Sequence, residues 1–516
     1  MNVLFVVIDA ATPRVVCPAI HTGRLPTFQR LVAAGTMHEA STTIFPSITP
    51  AATTALITGA YPAQNGIAGA SWYDEATKEV AYYGDDFWVI ARKGFRAFLE
   101  DFLLRLNGDR LRVPTLFEYV EQQGRLAGCL NYLEFRGPHR HEVNVPWLLA
   151  LLPGVPLQET ICGPTVLCLG DFVATRTLRG RKLGDKGGLL HRFGMDDAST
   201  GVLLQEMAED GAWPDLTVAY FADNDYRSHE VGPHDALPVI EHVDAALAKM
   251  FDAAGGMERF LSNTMIVITS DHGHTEILAD ADRAVIYLDR TLADFRQAEL
   301  GGPWKPEDEI LVCPNMRAAE IYLREVQTVL LDRVVTALGH EPRVDQVLWR
   351  APDTPEGESR YMLFAKGERL QFWRGTDGSQ SGRDAFGITW SWRGDLAAID
   401  ADVQDDRIVW SNYPNAFERI AGVLDREHGS AIWITAVPGC EFEVEGGRAH
   451  VGGASHGALH ALDSFCPVIV AGPRTPARLP VALRSVDITP MCLEWLGLAS
   501  PYAVGAPRTE RTRRER

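Results

Sequence analysis

Continuous apolar, β-branched runs separated by segments of helical period predict an α/β fold, a doubly wound and mostly parallel sheet sandwiched by helices. A change of character over residues 277–444, where short alternating strands replace long buried ones, adds an inserted α+β cap.

Taken in chain order, residues 3–8 (VLFVVI) read as a strand buried on both faces, and Asp9 follows at its carboxyl end. Residues 53–57 read as helix after a proline-containing turn, and residues 115–123 (TLFEYVEQQ) as a second helix that Gly124 ends. Residues of about 75–212 also contain an amphipathic stretch at 95–106 and a Gly/Pro-rich irregular region, so part of this span is expected to be an insertion over one edge of the sheet. Leu216–Phe221 (LTVAYF) is the next buried strand and leads into Asp223, Asn224 and Asp225. Residues 237–254 carry apolar side chains at helical spacing, and Thr264–Thr269 (TMIVIT) stops just before Ser270, Asp271 and His272. In the cap, Ala318–Leu323, residues 361–364 and residues 370–373 read as strands and residues 326–338 as helix. The chain then returns to the core through a strand at 467–471 (PVIVA) and a closing helix, Ile488–Leu496. The expected division is a discontinuous core of 1–276 and 445–516 with the cap at 277–444; no internal repeat is seen.

Composition narrows the function. With 516 residues, 46% of them hydrophobic, the chain can bury a large core, and a formal net charge of −19 argues against a nucleic-acid polymer as partner. Its basic run, 508–516, reads as a solvated tail. The eight cysteines form no CxxC pair or regular framework, so neither a disulfide scaffold nor a cysteine metal site is expected. No basic leader precedes residue 2 and no apolar stretch approaches the roughly 20 residues of a membrane span, which leads to the expectation of a soluble, cytoplasmic protein. Oligomeric state is not legible.

Three buried strands deliver polar clusters at their carboxyl ends, where open α/β sheets place ligands. Asp225 and His229 stand four residues apart and could aim at one ion; Asp271-His272-Gly273-His274 and Ser455-His456-Gly457 add further carboxylate and imidazole donors. Singly each motif is weak, since a lone Asp at a strand end caps helices and a lone His is commonly a satisfied core or surface residue. Together they point to metal. In FPSITPAATTALITG, residues 45–59, hydroxyls precede a helix whose free N–H groups favour an anion, and Thr49 is either a helix cap or a nucleophile that a metal or base must activate.

With these motifs in this order, the chain resembles the alkaline phosphatase superfamily, and most closely its type I phosphodiesterase/nucleotide pyrophosphatase branch, over roughly 1–74, 110–135, 213–276 and 450–498. The resemblance rests on Asp9, the block from Phe45 to Ile67, Asp225-x-x-x-His229-x-x-Gly232-Pro233, Ser270-Asp271-His272-Gly273 and Ser455-His456-Gly457. It implies that Asp225, His229 and His456 hold one divalent ion, that Asp9, Asp271 and His272 hold another which Thr49 also coordinates, and that Thr49 forms a phosphothreonine. Zinc is the expected metal, with manganese or iron tolerating the same donors. The implied partner is a small phosphorylated substrate. Two positions depart from the pattern: Ala70, followed by Ser71, stands where the branch has an asparagine that contacts a phosphoryl oxygen, and Ser228 stands where it has glycine. His274, Asp223 and His234 are expected to orient ligands or touch substrate rather than bind metal. Arg136, Arg140 and Lys186 are candidate substrate donors. The alternatives to a phosphodiesterase are a phosphomonoesterase or phosphonate hydrolase on the same metal platform, and a catalytically weak metal-binding protein. A sulfatase is disfavoured because no Cys/Ser-x-Pro-x-Arg motif is found.

Overall fold

The computed structural model describes residues 1–83, 100–144, 158–184, 187–325, 327–352, 354, 358–378, 380–426, 431–444 and 449–506. Lys186, the first part of the 95–106 stretch and the basic tail lie outside them; within that stretch Asp101–Arg105 forms one π-helical turn.

Eight strands make the central sheet, in the order Gly35–Thr42, Phe465–Ala471, Thr264–Thr269, Asn2–Ile8, Leu216–Phe221, Ala127–Leu130, Val166–Leu169 and Val173–Ala174. The five strands from Thr264–Thr269 to Val166–Leu169 are mutually parallel. Phe465–Ala471 runs antiparallel to Thr264–Thr269, and Gly35–Thr42 antiparallel to it in turn. The central strand shows why its run lacks polar alternation. Leu4, Val6 and Ile8 enter one apolar cluster with Phe28, Leu204, Ile240 and Leu247, while Val3, Phe5 and Val7 enter another with Leu56, Phe117, Ile488 and Leu493. Side chains alternate across a strand, so helices on both faces demand apolar residues at every position.

Most elements fall where periodicity puts them, and Thr264–Thr269, Leu216–Phe221, Ala318–Leu323 and Ile488–Leu496 match residue for residue. The helix expected at 53–57 starts earlier, spanning Thr49–Thr58. Pro50 lies in its first turn, where a missing N–H costs no helical hydrogen bond, so this proline opens the helix instead of preceding it.

The cap is a ten-stranded sheet built from strands between Ile310–Asn315 and Ala431–Ala436. Its pairings are antiparallel except for one parallel bridge, Arg383 to Arg407. Thr328–Gly339 covers one face, through Val334, Val335 and Leu338, and Ala416–Leu424 the other, through Phe417 and Ile420. The second cluster also takes in Phe45, Ile67, Trp72 and Leu459, so the cap packs directly on the segments that flank Thr49 and His456. All eight cysteines are unpaired, seven of them buried and Cys162 exposed. Among the described residues no helix is long and apolar enough to cross a membrane.

Candidate metal centre

The carboxyl ends of three adjacent parallel strands set the site. Asp9 follows Asn2–Ile8, Asp271 and His272 follow Thr264–Thr269, and Asp225 and His229 occupy one face of the helix Asp223–Val231, which begins directly after Leu216–Phe221. Thr49 is the first residue of its helix, and Ile48 holds the N-cap position. His456 arrives from the far end of the chain on a two-residue ladder in which Thr275 pairs with Ser455. That ladder lies against the His229 helix: a β-carbon on Gly453 would stand 2.0 Å from the His229 carbonyl oxygen, so only glycine allows the approach.

Each imidazole has one nitrogen fixed. Nδ1 of His229 donates to the Ala454 carbonyl (2.7 Å), Nδ1 of His456 to the Ser47 carbonyl (2.7 Å) and Nδ1 of His272 to the Gly273 carbonyl (3.1 Å). Carbonyls cannot donate, so in the neutral rings Nδ1 carries the proton and Nε2 is left as a lone pair. Those Nε2 atoms face carboxylates. His229 Nε2 is 3.4 Å from Asp225 Oδ2 and His456 Nε2 3.6 Å from Asp225 Oδ1; His272 Nε2 is 3.5 Å from Asp9 Oδ1 and 3.4 Å from Asp271 Oδ2. The Thr49 hydroxyl lies 3.0 Å from His272 Nε2. Each carboxylate of the second group keeps one oxygen back: Asp9 Oδ2 accepts from the Tyr220 hydroxyl, and Asp271 Oδ1 from the amides of Ala10 and His272.

What remains is a set of buried atoms without hydrogen bonds: Asp9 Oδ1, Asp271 Oδ2, Asp225 Oδ1 and the Nε2 atoms of His229, His274 and His456. Leaving such atoms unpaired costs about 1–3 kcal/mol each. Electrostatics agree. Burial, then the charges of Asp271 and Asp225, hold the Asp9 carboxyl well above its usual range; burial also raises Asp271. Burial opposes ionisation of Asp225, but the charge of His229 when that ring is protonated, then hydrogen bonds with His229 and His274, outweigh it and hold that carboxyl well below its usual range. Burial, then His272, pushes His456 well down, so it stays neutral. Convergent lone pairs with too little positive charge between them are what divalent cations satisfy, and two groups have the reach: Asp9, Asp271 and His272, and Asp225, His272, His274 and His456.

All seven residues expected from the sequence are therefore brought together, but His274 joins them. It is completely buried, with Nε2 3.0 Å from Asp225 Oδ1, whereas His229 approaches that carboxylate from its other oxygen. His234 is exposed, 4.0 Å from Glu276, and Asp223 pairs with Arg192 and the Asp197 amide. Of the candidate substrate donors, two lie among the described residues. Arg136 is spent on Glu118 and the carbonyls of Gly108, Leu111 and Val113, and Arg140 is exposed on the hairpin of His139–Asn144 and Gln158–Gly163. Ser71 is fully buried, and the Ala70 and Ser71 amides both donate to the Asn315 side chain, which returns a bond to the Ser71 carbonyl. Two supporting residues had no sequence signal beyond their types: Tyr220, and Asn224, whose amide donates to the Asp9 carbonyl (2.8 Å).

A family model described as type I phosphodiesterase / nucleotide pyrophosphatase matches residues 3–344. A search by sequence among curated proteins finds no match. Among solved structures, the chain is similar to murine ectonucleotide pyrophosphatase / phosphodiesterase 5, at 15% identity and a TM-score of 0.58 over 98% of both chains. The same murine protein is also seen as an inactive variant in complex with AMP. Phosphonoacetate hydrolase from Sinorhizobium meliloti 1021, in complex with phosphonoformate, is similar at 17% identity and a TM-score of 0.55 over 96% of both chains.

Proposed function

Because the chain belongs to the type I phosphodiesterase/nucleotide pyrophosphatase family, a branch of the alkaline phosphatase superfamily, we propose that it is a two-metal phosphodiesterase working through a phosphothreonine at Thr49. That it is a phosphoester hydrolase follows from the family; the observation that supports the finer reading is the convergence of Thr49 and six unsatisfied or carboxylate-facing donor groups at the strand ends.

Asp225, His229 and His456 would hold one ion, and Asp9, Asp271, His272 and Thr49 the other. Zinc suits the donors. When bound, two such ions would supply positive charge to the phosphoryl oxygens and lower the pKa of the Thr49 hydroxyl. The chain's own residues do the rest. Thr49, at the amino end of a ten-residue helix, presents its oxygen where the helix dipole favours an anion. Its oxygen attacks phosphorus, the ester P–O bond breaks, and the leaving alcohol departs with a proton; water then cleaves the phosphothreonine and restores the hydroxyl. The carbonyls of Ala454, Ser47 and Gly273 hold the imidazoles so that Nε2, not Nδ1, faces the reacting centre. Residues 277–444 would form the cap that sets specificity.

A phosphonate hydrolase on the same platform is the second reading. It is favoured by Ala70, where the branch's phosphoryl-contacting asparagine is missing, and by the likeness to phosphonoacetate hydrolase. Hydrolysis of a chromogenic diester, a monoester and a phosphonate monoester by the metal-loaded protein separates the readings. Diester preference, reduced at least about 1,000-fold in Thr49→Ala, is expected. Preference for either of the other two substrates would move the protein to a neighbouring branch, and full activity in Thr49→Ala would exclude the phosphothreonine.

A further inference from the structure

The ladder that delivers His456 brings a second imidazole with it. Its antiparallel register pairs Thr275 with Ser455 and Glu276 with Ala454, so the next position sets His274 opposite His456, ring centroids 5.0 Å apart. The His274 ring is fully buried and sits 4.7 Å from that of His229. Its Nδ1 lies 2.6 Å from the hydroxyl of Ser228, itself fully buried on the helix that carries Asp225 and His229. Its Nε2 makes no aligned hydrogen bond and is 3.0 Å from Asp225 Oδ1, an oxygen that also lacks one.

We propose that His274 is a fourth protein ligand to the ion held by Asp225, His229 and His456, and that Ser228 positions it. The inference rests on the two-ion reading above. With Nδ1–H donating to the Ser228 hydroxyl, the neutral ring presents the Nε2 lone pair to the point that Asp225 Oδ1 and His456 Nε2 already face. Among the described residues no hydrogen bond takes that nitrogen, and a buried imidazole acceptor with no donor is costly unless a cation takes it. A catalytic zinc site keeps three protein ligands and one open position. A fourth protein donor makes this site richer than that, and its consequence is tighter binding of the ion rather than a new chemical step.

The test uses the metal-free full-length protein titrated with Co2+ alone against a competing chelator, read by visible absorption and by the histidine content of the cobalt shell in X-ray absorption. His274→Gln should weaken one of the two Co2+ sites by more than about 100-fold, beyond what loss of an outer partner costs, and remove one histidine from the shell. Ser228→Ala should weaken the same site by about 10–100-fold with the histidine count unchanged. If His274→Gln binds Co2+ with wild-type affinity and spectrum, His274 is no ligand and the proposal falls alone. If the wild type binds no Co2+, the two-ion reading falls and takes the proposal with it. Melting of the metal-free variants checks the fold; should His274→Gln not fold, Ser228→Ala decides, an unchanged Co2+ affinity overturning the proposal.

Discussion

Glu134 lies behind the Thr49 helix, fully buried, with one oxygen accepting from the Thr53 hydroxyl at 3.2 Å and the other without a partner. Burial pushes its carboxyl from the ordinary 4.5 up to about 8. A raised acid binds its proton more tightly in the folded state, so its contribution is fully present below about pH 4.5 and is lost as pH rises toward 8. Glu134→Gln should therefore match the wild type near pH 4.5 and melt higher at pH 8, in metal-free protein followed by thermal denaturation; equal melting temperatures at pH 8 would contradict the shift. Nothing in the sequence around Glu134 marks it, because the desolvation that matters comes from segments far away in the chain. His274 had a visible signal, its place two residues after His272, but direction and burial decide a ligand and neither is carried by spacing.

Elements act on the site through the short ladder and the first hairpin of the cap. Arg317, in the turn between Ile310–Asn315 and Ala318–Leu323, is fully buried. It pairs with Asp463 and also donates to Thr275 Oγ1, the Ala436 carbonyl and, through its backbone amide, the His456 carbonyl (2.8 Å). Arg317→Met leaves the Asp463 carboxylate buried without its cationic partner, keeping only hydrogen bonds from Thr275 and the Ala458 amide, which should cost about 3–5 kcal/mol in urea denaturation, with part recovered by adding Asp463→Asn. Gly457, at φ 121°, is held by the same turn: a β-carbon there would meet the Asn315 carbonyl oxygen at 2.6 Å. Gly453→Ala forces the ladder away from the His229 carbonyl and should lower metal affinity by at least about 10-fold while leaving the helices intact by circular dichroism. Ser455-His456-Gly457 was readable as a donor motif; which backbone Gly453 and Gly457 must admit was not.

At the scale of the molecule, the proposed site draws on residues 9, 49, 225, 229, 271, 272 and 456, so its two ions together would tie segments from both ends of the chain to the sheet. Stripping the metal with a chelator should lower the melting temperature, and restoring an ion at about 1,000 times its Kd should add about 4 kcal/mol per site. A melting temperature indifferent to metal would argue against sites that bind only the folded state. The sequence by itself determined the doubly wound core and the strand-end positions of the carboxylates, since a strand buried on both faces must be apolar at every residue and a polar cluster can then begin only where it ends. It also determined, through the order of its motifs, the family. Tertiary structure alone decided that Phe465–Ala471 enters the sheet antiparallel, that Arg136 is spent on Glu118 and backbone carbonyls and Asn315 on the Ala70 and Ser71 backbone, and that His274 faces Asp225 and His456. Those outcomes depend on register and on contacts between segments hundreds of residues apart, which local periodicity does not encode.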